Sequence, residues 1–340
     1  MQKMPLFYLF VALMVLASCD NEVDLNADIE DTTVVYGLLD ISEDTQFVKI
    51  NRAFLEDGAN AIQLAKETDR LFYDNLDVKM VEEGSNDTFQ LSTIEKRKDE
   101  GIFSNERNVL FFTTDTLASQ TDYQLIVRQA NGKTTTARSQ TLRPIQLIRP
   151  GRVSLDFEDG LRSMNMVRIT SSGFVYQDYE IIVRFASNIS KTEVNLYFNY
   201  EEEFVLNDPN SRVPRTIKIP VGSVRNTDLG SDDQTLVLGS EYFYSTIAAA
   251  TPDNSNRKVV PNGNIDLEII AVDVVFGQYT SVYGPLDGLA QVRPEFSNIN
   301  NGVGLLASRS TYRNFTFLES NSLQELRTGS ITGNLNFVDP

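Results

Sequence analysis

Carboxylates are the side chains through which this sequence could do chemistry. Its 340 residues include 47 Asp and Glu, no His and a single Cys. Without imidazole, a Ser-His-Asp triad, a Cys-His pair and a His-ligated zinc, copper or iron site are excluded. The remaining options are acid–base catalysis by a carboxylate pair, or binding of Ca²⁺ or Mg²⁺ through oxygen ligands.

The acids are densest at three places in the second half of the chain. These are Glu201-Glu202-Glu203, Asp228 with Asp232 and Asp233, and Asp266 with Asp273. A glycosidase holds two carboxyl groups about 5 to 10 Å apart, and spacing along the chain singles out no such pair. The loop 228–233 offers oxygen ligands to Ca²⁺ but lacks the alternating acids and closing Glu of an EF-hand. We therefore predict no catalytic, cofactor-binding or metal-binding residue, and a solvated turn at this loop.

Two other motifs match catalytic patterns in spacing alone. Gly-x-Gly-x-x-Ala at 302–307 has the spacing of a dinucleotide-binding fingerprint, which needs a strand before it and a helix and parallel strand after it. Only residues 308–340 follow, and much of that segment is strand-like. Ser-x-x-Lys at 255–258 has the spacing of a β-lactamase nucleophile but lies in a polar loop, where no helix aligns the two side chains. We interpret both as chance matches.

The start of the chain is organised as a bacterial secretion signal. A basic start at residues 1–4 precedes the apolar run 5–16 (PLFYLFVALMVL) and then small residues before Cys19. The run is shorter than the roughly 20 residues that a helix needs to span a hydrocarbon core. We predict a signal peptide over residues 1–18 that is removed.

The ending Leu16-Ala17-Ser18-Cys19 resembles the lipobox of bacterial lipoproteins, in which the Cys thiol receives a diacylglycerol and becomes the new N-terminus. The alternative is an ordinary cleaved signal that ends near a free thiol. Several acyl chains on one terminus anchor a protein stably, where a single chain binds only marginally. The sequence therefore predicts lipidation at Cys19 and a mature protein tethered to a membrane without crossing it.

Residues 19–31 comprise this Cys and an acidic tether. Residues 20–31 (DNEVDLNADIED) contain six acids and no base, which is typical of a solvated linker. In Bacteroidota lipoproteins, acids directly after the lipidated Cys resemble signals for export to the cell surface; a plain linker is the alternative. The formal net charge of the whole chain is −17, and this excess argues against nucleic acid as a partner.

Short alternating strands over residues 32–145 predict an immunoglobulin-like β-sandwich. The first strand places Val34, Tyr36 and Leu38 on one face. Further strands are predicted at 46–53, 77–82, 88–95, 108–113 and 133–141. A short helix around 60–71 would cover an edge of the sandwich or project as a partner-binding insertion.

The most regular run of this region is residues 117–127, Leu-x-Ser-x-Thr-x-Tyr-x-Leu-x-Val. Its period of two predicts that Tyr123, Leu125 and Val127 are buried on one face. The run resembles the tyrosine corner of immunoglobulin-like and fibronectin type III sandwiches, where the Tyr hydroxyl hydrogen-bonds to upstream backbone. The Asn131-Gly132 pair that follows favours a type I′ hairpin turn.

A second β-rich domain with one or two short helices is predicted at 146–340. The boundary lies in segment 141–152, where Pro144 and Pro150 interrupt regular structure. Strands are predicted at 164–170, 178–186, 192–204, 215–221 and 265–276, and helices at 240–250 and 322–327. The segment 265–276 is nearly continuous in apolar residues, which favours a central position in its sheet. The cluster Tyr242-Phe243-Tyr244 is predicted to be core.

Several segments together resemble a Bacteroidota outer-membrane lipoprotein family, domain of unknown function 4249. They are the lipobox and residues 33–39, 77–81, 240–244 and 296–306. The resemblance covers nearly all the mature chain. It implies an outer-membrane accessory lipoprotein, whose gene often lies beside a TonB-dependent transporter, and the family has no established catalytic residue. In physical terms, residues 301–304 (Asn-Gly-Val-Gly) look like a turn into a strand.

Three function hypotheses follow. The first is a non-enzymatic lipoprotein anchored in the outer membrane, on its cell-surface or periplasmic face, that binds a ligand or serves as accessory subunit to a TonB-dependent transporter. The second is a cell-surface adhesion or structural lipoprotein. The third is a carboxylate-dependent hydrolase.

Overall fold

The computed structural model describes residues 31–53, 67, 71–97, 99, 107–151, 161–184, 188–205, 208–226, 233–251, 256–260, 263–283 and 295–338. This part of the chain is mainly β with three short helices, which confirms the predicted fold class. No helix within it is long and apolar enough to cross a membrane. The helix predicted around 60–71 lies outside the described residues, apart from Glu67 and Leu71.

The first half of the described chain forms nine strands. They are β1 (Thr32–Asp40), β2 (Gln46–Ala53), β3 (Leu76–Glu82), β4 (Thr88–Gln90), β5 (Ser92–Glu95), β6 (Val109–Thr113), β7 (Asp122–Gln129), β8 (Thr134–Gln140) and β9 (Gln146–Arg149).

The second half of the described chain adds eleven strands, three helices and a 3₁₀ turn. The strands are β10 (Val167–Thr170), β11 (Gly173–Tyr176), β12 (Tyr179–Arg184), β13 (Ile189–Glu203), β14 (Arg212–Arg225), β15 (Asp233–Leu238), β16 (Asn256–Val259), β17 (Ile265–Asp273), β18 (Ile299–Asn300), β19 (Val303–Thr316) and β20 (Phe337–Val338). The helices are α1 (Ser240–Ala250), α2 (Val274–Tyr283) and α3 (Ser320–Thr328), and the 3₁₀ turn is Pro209–Ser211.

One ten-stranded sheet runs through the protein. Its order is β20-β16-β13-β17-β19-β1-β2-β6-β5, and β14 also pairs with β13. A five-stranded sheet has the order β18-β8-β7-β3-β4, a three-stranded sheet the order β15-β12-β9, and β10 pairs with β11. The large sheet therefore contains strands from both predicted domains.

Within the described residues, the two largest hydrophobic cores lie along this large sheet. The first joins its β1, β2 and β6 to the five-stranded sheet through buried residues such as Val35, Met80 and Leu125. The second joins β13 and β17 to the three-stranded sheet and α1 through residues such as Phe198 and Phe243. Both have the layered arrangement of a β-sandwich, in which facing sheets bury one side of each strand.

Strand β19 connects the two halves. It pairs in parallel with β1, with Val35 opposite Gly304, and antiparallel with β17, with Ile269 opposite Tyr312. Just before it, β18 pairs with β8 and adds Ile299 to the first core. The C-terminal part of the chain thus completes the sheets formed by the N-terminal part.

The core-facing side of β1 is the one that carries Val35 and Leu39, both fully buried. Val34, Tyr36 and Leu38 share the other face, as the alternation predicted, and Tyr36 is 46% exposed. Both faces of this strand are rich in apolar residues, so its sequence does not distinguish the two sides.

The predicted strand 88–95 is two strands in two different sheets. Strand β4 pairs with β3 in the five-stranded sheet, and β5 pairs with β6 in the large sheet. Leu91 lies between them, is buried, and donates its backbone N–H to the Val78 carbonyl at 2.9 Å. The chain therefore crosses from one layer to the other at this residue.

The tyrosine corner at the start of β7 is confirmed. Tyr123 is fully buried, and its hydroxyl accepts a 2.8 Å hydrogen bond from the backbone N–H of Ala118. The hydroxyl also lies 3.1 Å from a Glu82 carboxylate oxygen, to which it donates. Leu125 and Val127 are buried on the same face, as predicted. The bond joins the chain before β7 to the strand itself.

The substitution Tyr123→Phe is expected to lower the free energy of unfolding by about 1–3 kcal/mol, because it leaves the Ala118 N–H without its partner. Urea denaturation followed by circular dichroism measures the change. The matched control is Tyr242→Phe, since Tyr242 is 48% exposed. Equal stability of the two variants would contradict a structural role for the Tyr123 hydroxyl.

The hairpin between β7 and β8 turns where predicted but not with the predicted geometry. Gly132 has a φ of 87°, while Asn131 has no positive φ. The Asn131 side chain instead accepts a hydrogen bond from the Lys133 N–H at 2.9 Å, and Gln129 and Lys133 close the loop. The type I′ prediction is wrong, because that turn needs positive φ at both central residues.

In the second half, the predicted strand 265–276 ends at Asp273 and continues as α2. The Asp273 carboxylate accepts a hydrogen bond from the Phe276 N–H at 2.7 Å, which satisfies a free donor of the first helical turn. Strand β17 itself lies between β13 and β19, so its predicted central position is confirmed. The sequence does not predict α2, because Val274 and Phe276 of this helix extend the apolar run of the strand.

The other two helices occur where they were predicted. In α1, Phe243 and Tyr244 are fully buried, while Tyr242 is exposed, so the aromatic cluster is core at two of its three residues. Helix α3 begins two residues before the predicted start and ends one residue beyond the predicted end.

Candidate functional site

The three consecutive acids at the end of β13 belong to an ion-pair cluster. Glu202 and Glu203 are 3% and 2% exposed. Glu202 lies 2.8 Å from Arg215, and Glu203 lies 3.2 Å from Arg212, both on β14. The fully buried Arg257 on β16 approaches Glu202 from the other side at 4.0 Å. These ion pairs link the end of β13 to both of its neighbours, β14 and β16.

A cleft of about 430 Å³ lies beside this cluster. Its walls include Glu202 and Arg215 together with Tyr200, Lys218 and Ala250. The acidic and basic groups at its wall neutralise each other, so the cleft presents no isolated carboxylate.

The acids of the 228–233 loop, which the sequence predicts to be a solvated turn, are described at one position only. Asp228 and Asp232 lie outside the described residues, and Asp233 binds Arg184 through both carboxylate oxygens, at 2.7 and 3.1 Å. The hydrogen bond from Arg184 lowers the pKa of Asp233. Across the described ranges, no three or more His, Cys, Asp or Glu side chains are grouped to hold a metal ion.

Asp266 and Asp273 do not form a carboxylate pair. They lie at opposite ends of β17, and the alternation of the strand places them on opposite faces. Asp266 is exposed, whereas Asp273 is 5% exposed and accepts backbone hydrogen bonds from Phe276 and Ser308.

The exposed face of β13, β17 and β19 brings together several side chains that the sequence analysis did not connect. Tyr197 lies opposite Asp266, and Asp266 lies opposite Phe315. In the neighbouring row, Glu268 lies opposite Arg313. These five residues line a shallow cleft of about 620 Å³, which we call the outer-face cleft.

Hydrogen bonds hold the polar groups of the outer-face cleft in position. The Tyr197 hydroxyl donates to Glu268 at 2.9 Å, and the Arg313 Nε donates to the other oxygen of Glu268 at 3.2 Å. Arg313 also donates to Glu43 at 2.9 Å. Burial, and then the hydrogen bond to Glu268, raise the pKa of Tyr197. The hydrogen bond to Glu43, and next that to Glu268, raise the pKa of Arg313 against the opposing effect of burial.

Asp266 is held in position by a hydrogen bond from Asn199, whose own side chain is held by Thr216. The Asn199 side-chain amide donates to the Asp266 Oδ2 at 2.7 Å, and Thr216 donates to the Asn199 Oδ1 at 2.7 Å. Phe315 adds an apolar ring that is 40% exposed. The cleft therefore combines two aromatic rings with fixed hydrogen-bonding groups.

The two carboxylates of the outer-face cleft differ in what their oxygens bind, since Asp266 accepts a hydrogen bond from Asn199 at Oδ2. Both oxygens of Glu268 already accept hydrogen bonds. A general base must be within reach of the proton that it abstracts, and Glu268 is held toward protein groups instead. Pre-positioned polar groups beside exposed rings are a common composition for a ligand site.

The lipidation site and the two motifs with catalytic spacing are the remaining residues that the sequence singled out. Cys19 and Ser255 lie outside the described residues, and Lys258 lies on β16. The 301–304 segment is the turn into β19 that the sequence predicted, with positive φ at Asn301 and Gly304. Because a strand and not a helix follows, its resemblance to a dinucleotide fingerprint is chance, as interpreted.

Apart from Asp266, the residues of the outer-face cleft were not predicted from the sequence, and the reason is physical. Alternation in β17 places Asp266 and Glu268 between buried Leu267 and Ile269, which does indicate one exposed face. It does not indicate that β13 and β19 are the neighbours of β17. Cross-strand register, which brings Tyr197 and Arg313 to Glu268, depends on the assembled sheet.

No family model matches the chain, and no curated protein is detectably similar to it.

Proposed function

We propose that this protein is a non-enzymatic lipoprotein, anchored in the outer membrane through Cys19, that binds a ligand on its surface. The observation that carries the binding role is the outer-face cleft, where aromatic rings and hydrogen-bonded polar groups share one open surface. The lipobox-like ending at Cys19 supports the anchor. The resemblance to outer-membrane accessory lipoproteins supports a site of action beside a TonB-dependent transporter.

The tether is compatible with this role. Residues 20–31 span at most about 40 Å when fully extended, at roughly 3.3 Å per residue. A linker with this reach would leave the sheet surfaces accessible to a ligand while the lipid stays in the membrane.

The substitution Cys19→Ala is expected to move the protein from the membrane pellet to the soluble fraction, because the thiol that receives the lipid is absent. Fractionation and metabolic labelling with a radioactive fatty acid measure the change. The control is Ser18→Ala, which keeps a small residue before an intact thiol and should remain labelled and membrane-bound. Unchanged membrane association of Cys19→Ala would overturn the anchor.

The accessory role is tested by purifying the acylated protein from gently solubilised outer membranes. Recovery of a β-barrel transporter in near equal amount would support an accessory subunit. Recovery of the protein alone would argue against a stable transporter complex and favour independent ligand capture or adhesion.

A further inference from the structure

We propose that the ligand of the outer-face cleft is a neutral carbohydrate chain, with two sugar units lying on Tyr197 and Phe315. This rests on the proposed function, since it names the ligand class of the same site. The argument depends on the spacing of the two rings, the hydrogen-bonding groups between them, and the charge and openness of the cleft.

The two rings are spaced by the sheet itself. Tyr197, Asp266 and Phe315 are register neighbours on three adjacent strands. Adjacent strands are about 4.8 Å apart, so the backbone positions of Tyr197 and Phe315 are separated by roughly 10 Å. This is close to the length of two linked pyranose units. A pyranose presents C–H groups on one face, and these pack against an aromatic ring as other apolar groups do.

Hydrogen-bonding groups lie between and beside the rings. Asp266 receives one hydrogen bond from Asn199, and an ionised carboxylate has about four acceptor sites in all. The Arg313 side chain is 59% exposed, and it donates to Glu268 through Nε and to Glu43 through one Nη. A guanidinium has about five N–H donors in all. Acceptors and donors are therefore close together, as sugar hydroxyls require, since each hydroxyl both donates and accepts.

The charge of the face favours a neutral ligand. Its charged groups include four carboxylates and three cations: Asp266, Glu268, Glu43 and Glu193, with Arg313, Lys191 and Lys218. Glu268 and Glu43 bind Arg313, Glu193 lies 3.5 Å from Lys191, and the Lys218 Nζ lies over the Tyr197 ring, 5.9 Å from its centroid. The small acidic excess disfavours phosphates and anionic headgroups, and it is too small to select a polycation.

The shape of the cleft favours a chain over an isolated small molecule. Sites for small molecules commonly enclose 70–90% of the ligand surface, whereas this cleft is shallow and lies on an open sheet face. A chain crossing β13, β17 and β19 can extend beyond the cleft on both sides.

The test uses the purified full chain in detergent and a panel of neutral tetrasaccharides: cellotetraose, maltotetraose, laminaritetraose, mannotetraose and xylotetraose. Isothermal titration calorimetry measures binding to the wild type and to Tyr197→Ala and Phe315→Ala. We expect at least one tetrasaccharide to bind, with affinity reduced about tenfold or more by either substitution. The control Tyr242→Ala removes an exposed ring on α1 and should leave affinity unchanged.

Three outcomes would overturn the carbohydrate proposal. They are the absence of binding to every tetrasaccharide in the panel, undiminished binding by Tyr197→Ala and Phe315→Ala, and binding of tetralysine in preference to the sugars. Each leaves the lipoprotein assignment intact, because membrane attachment through Cys19 is measured separately by fractionation and labelling.

Discussion

The substitution Gly304→Ala is expected to destabilise the protein by more than about 4 kcal/mol, which is a large part of the stability of an ordinary domain. A Cβ at this position would lie 2.0 Å from the carbonyl oxygen and 2.9 Å from the carbonyl carbon of Val35. These are backbone atoms of β1, so no side-chain movement relieves the contact. Gly304 also has a φ of 123°, which an alanine rarely adopts.

The consequence extends beyond one contact, because Gly304 lies where β19 begins its parallel pairing with β1. Moving the strands apart would break the continuity of the large sheet between its two halves. We expect a much lower urea midpoint by circular dichroism, or insoluble protein.

The matched control is Gly84→Ala. Gly84 has a similar φ of 117°, but no atom lies within 4 Å of its ideal Cβ position. The Gly84→Ala variant therefore tests the effect of backbone strain without the steric contact. We expect it to lower the free energy of unfolding by about 1–2 kcal/mol. If both variants lost the same stability, the close approach of β1 and β19 at Gly304 would be contradicted.

A second large effect is expected from pH through Asp273. Burial raises the pKa of this carboxyl from 3.8 to about 6, although hydrogen bonds from the Phe276 and Ser308 backbone N–H groups lower it in part. Between these two values the folded protein binds a proton that the unfolded chain releases. The contribution of Asp273 to stability therefore falls as pH rises from about 4 to about 6, by about 3 kcal/mol.

The substitution Asp273→Asn removes this titration. Between pH 4 and pH 7 the wild type is expected to lose about 3 kcal/mol of unfolding free energy relative to the variant, because only the wild type carries the Asp273 carboxyl. Chemical denaturation at several pH values measures it. The control is Asp266→Asn, an exposed carboxyl on the same strand. A pH-independent difference for Asp273→Asn would contradict the raised pKa.

Local patterns predicted much of the secondary structure. The alternation of residues 46–53 predicted β2 with the bounds that it has, and the alternation around Tyr123 predicted both burial and the tyrosine corner. The corner could be predicted because its hydrogen bond joins Tyr123 to Ala118, only five residues earlier. Patterns of this kind depend on neighbouring residues, which the sequence displays directly.

Prediction was weaker where the outcome depended on distant packing. Residues 88–95 form a plausible single strand, yet the two sheets on either side of the first core divide them at Leu91. The apolar residues after Asp273 form α2 because that carboxylate caps a helix, although β propensity favours continuing the strand. In both cases tertiary contacts override the local preference.

The sequence by itself determined the class of the protein. Alternation defines a mainly β chain, the absence of His excludes imidazole chemistry, and the residues before Cys19 predict a lipid anchor. The tertiary structure alone decided that β17 lies between β13 and β19, and hence that Glu268 meets Tyr197 and Arg313. These partners are 71 and 45 residues from Glu268 along the chain. The physical reason is that a period of two specifies which face a side chain occupies, whereas strand order and register arise only when the faces pack together.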